Sequence, residues 1–219
     1  MFSQRLNSLQ NIAGRPIKVK ATPIILASSS EYRKGLLARL GISFICNSPN
    51  IDETPLKNED IESLVVRLAC QKADKTARLY SQGIVIGSDQ AAVVTDHTGN
   101  QVLLGKPGNA EQAEQQLSLC SAQTVTFKTG LCVLNIKTQQ RLSCCEMFKV
   151  NFRPLTQQQI KRYIDIEQPF DCAGSFKCEG LGIRLFESLD GKDPNSLIGL
   201  PLIALIGFLL EMGIDPLET

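Results

Sequence analysis

Ser28, Ser29 and Ser30 follow the apolar run Ile24-Ile25-Leu26-Ala27 and precede Glu31-Tyr32-Arg33, so hydroxyls, backbone N–H groups and a guanidinium gather where a strand gives way to a helix. Such a helix start binds phosphate through the positive end of its dipole and through charged hydrogen bonds. The same serines also serve as ordinary helix caps, with Arg33 in solvent. Asp89 follows Ile84-Val85-Ile86-Gly87-Ser88, which places it at the carboxyl end of a predicted buried strand, where open α/β sheets collect ligands. Asp52 and Glu53 fall in a predicted loop, as surface acids unless a ligand engages them. Carboxylates so placed hold Mg2+ and activate water. Lys72, on a predicted helix, and Lys106, between Gly105 and Pro107, offer point cations to a triphosphate; singly, each reads as a solvated lysine.

The segment from Cys172 to Gly182, which contains Lys177 and Glu179, spaces three glycines among small polar residues. That composition permits close backbone approach to a ligand and equally makes a plain turn. No Walker A or GxGxxG pattern occurs. His97 is the single histidine and sits in a predicted turn, without a second imidazole to build a metal cluster.

The elements that must position these groups alternate between short apolar runs and helical periodicity, which makes this an α/β chain. Strands are predicted at 24–27, 42–46 and 84–87, with helices from the serines to Leu40, closed by Gly41, and from Glu59 to Leu79. A hairpin is expected over 91–104, turning at Asp96 to Asn100, where Asn and Gly accept positive φ. A helix at 110–119, paired strands at 124–135 and 141–152, and a helix after Thr156 follow. The most apolar stretch, Leu197 to Leu210, is too short and too interrupted for a membrane span and reads as a buried helix with Pro201 in its first turn. The natural division is two closely packed lobes, with the middle segment forming the second.

The bulk properties exclude several classes. With 219 residues and 43% hydrophobic content, the chain can bury a full core, and 23 basic against 22 acidic residues leave no electrostatic footprint for nucleic acid or a membrane surface. The eight cysteines show no CxxC pair and mostly lie in apolar runs, which argues for a reducing, cytoplasmic setting and against a redox or metal-storage scaffold. Residues 1–20 contain no acid and no apolar signal core; they read as a flexible extension, or as an amphipathic transit segment, ahead of a domain at 21–219.

Seven stretches in order carry a resemblance to a known family: LASSSEYR at 26–33, IDET at 51–54, RLACQKA at 67–73, IGSDQ at 86–90, GKP at 105–107, CAGSFKCEGLG at 172–182 and GLP at 199–201. From about Ile24 to Pro216 the sequence resembles the Maf family of nucleoside triphosphate pyrophosphatases. The resemblance implies a Maf/Ham1-like mixed sheet with two lobes around a deep cleft, a homodimer, and hydrolysis between the α and β phosphates with Mg2+ or Mn2+ as cofactor. Asp89 would be the proton acceptor and, with Glu53, would hold the metal, while Ser28, Ser30, Arg33, Lys72, Lys106 and Lys177 would contact substrate.

Three positions bear on which nucleotide. Family members that take dTTP and UTP tend to carry paired arginines where Tyr32 and Arg33 stand, threonine where Gln90 stands and glutamine where Glu179 stands. The departures at Tyr32, Gln90 and Glu179 resemble the branch that cleaves 7-methyl-GTP. An aromatic face attracts a cationic ring by about 0.5–2 kcal/mol, and a carboxylate accepts from both guanine edge donors. The competing expectations are dTTP or UTP hydrolysis and nucleotide binding without turnover in a division regulator.

Overall fold

The computed structural model describes residues 22–96 and 98–218. The readings of 1–20 as an extension and of His97 lie outside the described residues. In chain order the elements are β1 (Ile24–Leu26), α1 (Glu31–Ala38), β2 (Phe44–Cys46), α2 (Ile61–Ala77), β3 (Ile84–Thr95), β4 (Gln101–Leu104), α3 (Ala110–Cys120), β5 (Thr124–Asn135), β6 (Arg141–Phe152), α4 (Gln157–Glu167), β7 (Phe186–Gly191), α5 (Pro194–Ile198) and α6 (Leu202–Glu211). Among the described residues the strands form one seven-stranded mixed sheet in the order β2-β1-β3-β5-β6-β7, with β4 added beside β3. The fold is therefore mixed α/β. No helix of the described residues is long and apolar enough to cross a membrane.

Alternation along the strands divides the core by face. Ile24, Leu26, Ile84, Ile86, Leu131 and Val133 pack with α1 and α6 on one side, while Ile25, Val85, Cys132 and Leu134 meet Ala69 and Ala73 of α2 on the other. A third cluster, around Phe127, Phe152 and Phe176 with α3 and α4, fills the far half of the long strands. Because β3, β5 and β6 run through both halves, the two ends share one sheet and no chain boundary separates them.

Three local features differ from the sequence reading. Asp89 does not end a strand: β3 continues to Thr95 because β5 pairs with it from Ile84↔Asn135 to Val94↔Val125. The terminus belongs to its neighbour, since β1 pairs with β3 only through Leu26↔Ile86 and β4 takes up that edge only at Ala92↔Leu104. Residues 87–91 thus face a gap in the sheet, and the site opens there. The C-terminal helix is two helices, because Gly199 turns left-handed at φ 119° and Pro201 caps α6 from outside it. Strand β7, mostly exposed and polar, carries no apolar alternation for the sequence to announce.

Helix α2 begins at Asp60, whose carboxylate accepts from the Glu62 and Ser63 amides. It lies against the sheet at backbone distance. A Cβ on Gly87 would stand 2.1 Å from the Ala69 carbonyl oxygen, and one on Gly130 would stand 2.2 Å from that of Val65. Only glycine at both positions lets the helix sit this close, and the approach sets the height at which Lys72 reaches β3.

Candidate active site

An open cavity of about 550 Å³ lies over the gap in the sheet, with α1 and the 171–179 loop among its walls. One end is built from opposite charges. The Lys72 ammonium, nearly enclosed on α2, donates to Asp89 Oδ1 at 2.6 Å and pairs with Glu53 Oε1 at 2.7 Å. The Asp89 side chain keeps 13% exposure, so it meets cavity solvent while held from behind. Its Oδ2 makes no bond among the described residues. Glu53 comes from the loop ahead of α2, and Lys106, on the exposed turn after β4, also lines the cavity.

Arg33 shares this end. Its Nε donates to the Gly199 carbonyl at 2.8 Å, and Gly199 leaves the space the side chain uses, since a Cβ there would lie 3.3 Å from Nε. Burial pulls the Arg33 pKa down, and Asp89 and Glu53 oppose that shift in part. The guanidinium still touches solvent and stays charged. Ser28 and Ser30 both line the cavity, and both also act as local caps: Ser28 Oγ accepts from the Ser30 amide at 3.1 Å and Ser30 Oγ from the Arg33 amide at 3.3 Å.

The other end is acidic and aromatic. The Tyr32 hydroxyl donates to Asp171 Oδ2 at 3.4 Å, and Glu179, Cys172 and Cys178 line the same region. Burial, the Cys172 thiol, and the Asp171 and Glu179 carboxylates all push the Tyr32 phenol up, so it remains a neutral donor. Cys172 is pushed up to about 11 and Cys178 to about 12, each mainly by burial. As protonated thiols they are poor nucleophiles.

Gln90 lines the cavity and also acts as a latch, because its Nε2 reaches the carbonyls of Ser196 and Leu197 and the Thr129 hydroxyl. Lys177, also expected to contact substrate, is placed differently from the others. It is not a cavity-lining residue; its Nζ donates to the Glu167 carbonyl at 3.3 Å and its amide to the Tyr163 hydroxyl. The tight turn drawn in at Gly182, which lies against the Lys177 backbone, accompanies that orientation. Asp52 turns back on its own loop to accept from the Thr54 amide.

Sequence reasoning gave no role to Asp171, Ser88 or Gly199. Ser88 Oγ lies 2.9 Å from the carbonyls of both Gly130 and Gly199, tying β3 to the α5–α6 corner that seats Arg33. The GLP stretch at 199–201 was the available signal, since a glycine before leucine and proline marks a special backbone position.

The donor set suits a hydrated divalent cation shared with a nucleotide. Among the described residues no group of three or more His, Cys, Asp or Glu side chains could hold a metal without help. Mg2+, however, is commonly held by one or two carboxylates plus substrate phosphates and water, which is what Asp89 and Glu53 offer.

A family model described as Maf-like protein matches residues 23–212. A curated relative from Pseudoalteromonas atlantica (strain T6c / ATCC BAA-1087), described as 7-methyl-GTP pyrophosphatase, is 53% identical over 195 residues, covering 89% of this chain and 97% of the relative. Relatives with the same description from Pseudoalteromonas translucida (strain TAC 125) and Vibrio vulnificus (strain CMCP6) are 52% and 53% identical, covering 90% and 89% of this chain and 95% and 97% of their own. Among solved structures, the Staphylococcus aureus Ham1 protein is 11% identical, with 87% of this chain and 100% of that chain covered at a TM-score of 0.47, a likeness too remote to add to the family match.

Proposed function

Because the chain belongs to the Maf-like family, we propose that it is a nucleotide pyrophosphatase that hydrolyses 7-methyl-GTP to 7-methyl-GMP and pyrophosphate. The observation that carries the reading is the Asp89–Lys72–Glu53 arrangement at one end of a cavity whose other end presents Tyr32 and Glu179.

In this reading Arg33, Lys72 and Lys106 offset the triphosphate charge and draw the α-phosphorus toward the gap in the sheet. Water attacks that phosphorus, one P–O bond forms and the bond to the bridging α–β oxygen breaks, releasing pyrophosphate. Asp89 orients the water and takes its proton, with Lys72 fixing one carboxylate oxygen so that the other faces the nucleotide. A divalent cation, Mg2+ or Mn2+, held by Glu53 and Asp89 together with the phosphates, would supply further charge stabilisation at the α-phosphate. No covalent enzyme intermediate is needed. At the base end the Tyr32 ring offers a face for the cationic 7-methylguanine, and Glu179 accepts from its N1–H and exocyclic amine.

The test is a pyrophosphate-release assay over 7-methyl-GTP, GTP, dTTP, UTP and CTP, run with Mg2+ on the wild type and on Asp89→Asn. The expected result is preference for 7-methyl-GTP and loss of turnover in the variant. Preference for dTTP or UTP would replace the substrate assignment. Equal background release from both proteins would mean that the chain binds nucleotide without cleaving it.

A further inference from the structure

We propose that Asp171 is a positioning and specificity-determining residue: it holds the Tyr32 ring across the base end of the cavity and, with Glu179, makes that end doubly anionic, so that it favours a purine with a positively charged ring. The inference rests on the proposed function and deepens it.

Asp171 is bound through both oxygens. Oδ2 accepts from the Tyr32 hydroxyl at 3.4 Å and Oδ1 lies 3.5 Å from the Cys172 thiol, which is itself 3.7 Å from the Tyr32 oxygen. The three groups form a closed triangle joining α1 to the loop after α4. A tyrosine near the start of a helix has rotamers that would swing its ring into solvent, and a hydroxyl bonded to Asp171 of the loop restricts that choice.

Asp171 and Glu179 line the same cavity, and neither takes part in an ion pair among the described residues. The loop's own cation, Lys177, is turned to the Glu167 carbonyl instead. Two carboxylates facing one hollow without an ion-pair partner favour a ligand that brings positive charge. A 7-alkylated purine does so; GTP, of the same shape but with a neutral base, does not. Tyr32 stays protonated and donating, since burial and the surrounding acids push its phenol up.

The experiment compares kcat/KM for 7-methyl-GTP and for GTP in the wild type, Asp171→Asn, Asp171→Glu and Tyr32→Phe. In Asp171→Asn the loss on 7-methyl-GTP should exceed that on GTP, and the ratio between them should fall about 10-fold. Asp171→Glu should restore most of the ratio, and Tyr32→Phe should lower it by about threefold through freer ring orientation. Competitive inhibition by 7-methylguanosine against guanosine probes the base end without phosphates, and the methylated nucleoside should bind the wild type about 10-fold more tightly. Equal loss on both nucleotides in Asp171→Asn would overturn the proposal, as would equal inhibition by the two nucleosides should that variant not fold. A wild type with no preference for 7-methyl-GTP would instead sink the functional reading beneath it.

Discussion

Tyr32 and Arg33 are consecutive on α1, yet they serve opposite ends of the cavity. Arg33 feels Asp89 and Glu53, whereas Tyr32 feels Asp171 and Glu179. Each end has two carboxylates, and what differs is what stands behind them. At the Arg33 end, Lys72 contacts both acids, so the cluster is neutralised, fixed in place and able to face a polyanion. At the Tyr32 end no described cation pairs with the acids, so negative potential remains for a ligand to answer. A dipolar nucleotide, anionic in its phosphates and cationic in its base, matches both ends in a single orientation. In the proposed reading, carboxylate count alone would not distinguish the chemical end from the recognition end; the partner behind the carboxylates does.

Substitutions at the two ends should therefore fail differently. The largest effect belongs to Asp89→Asn, expected to lower kcat by about 10³-fold on every nucleotide, measured as pyrophosphate release. Turnover close to wild type would remove Asp89 from the chemistry. Glu179→Gln is next: about 10²-fold lower turnover of 7-methyl-GTP with a much smaller loss on GTP, since a charged acceptor of two hydrogen bonds is lost. A uniform loss across nucleotides would dissolve the contrast between the ends.

Gly130→Ala tests the scaffold. A Cβ 2.2 Å from the Val65 carbonyl oxygen must displace α2, so urea denaturation should show a loss of about 1–3 kcal/mol, accompanied by reduced turnover as Lys72 moves from Asp89. Gly199→Ala should cost less, about 1–2 kcal/mol from strain at φ 119°, and should slow all nucleotides alike through Arg33. The smallest effect concerns the thiols. At pH 8, below the raised values of Cys172 and Cys178, iodoacetamide should label them slowly, while Cys70, drawn down chiefly by the hydrogen bond from Cys132, should label faster than either in a mass-spectrometric map. Rapid labelling of Cys172 would show that this thiol is less buried than the geometry requires.

Much of this was legible in the sequence. The apolar runs fixed β1, β3, β5 and β6, and the Ser-rich start of α1 was readable because capping is local. Most of the residues suspected of phosphate chemistry line the cavity. The reading of Asp89 as the end of a strand was incomplete: the sequence marks where apolar residues stop, whereas β3 continues because β5 supplies its hydrogen bonds. The break between α5 and α6 was missed because Leu197 to Leu210 is apolar on all faces, so its periodicity is silent and only Gly199 and Pro201 speak. The orientation of Lys177 toward the Glu167 carbonyl was not legible, because a lysine in a glycine-rich loop carries no directional signal. The Tyr32–Asp171 contact was not legible because the two residues lie 139 positions apart, a distance no local pattern spans.

The central claim is that water organised at Asp89 attacks the α-phosphorus while the base is held at the far end. Single-turnover hydrolysis of 7-methyl-GTP in 18O-labelled water, with the products resolved by mass spectrometry, tests it most directly. The account predicts one labelled oxygen in 7-methyl-GMP and none in pyrophosphate. Label in the pyrophosphate, or release of 7-methyl-GDP and labelled phosphate, would contradict it.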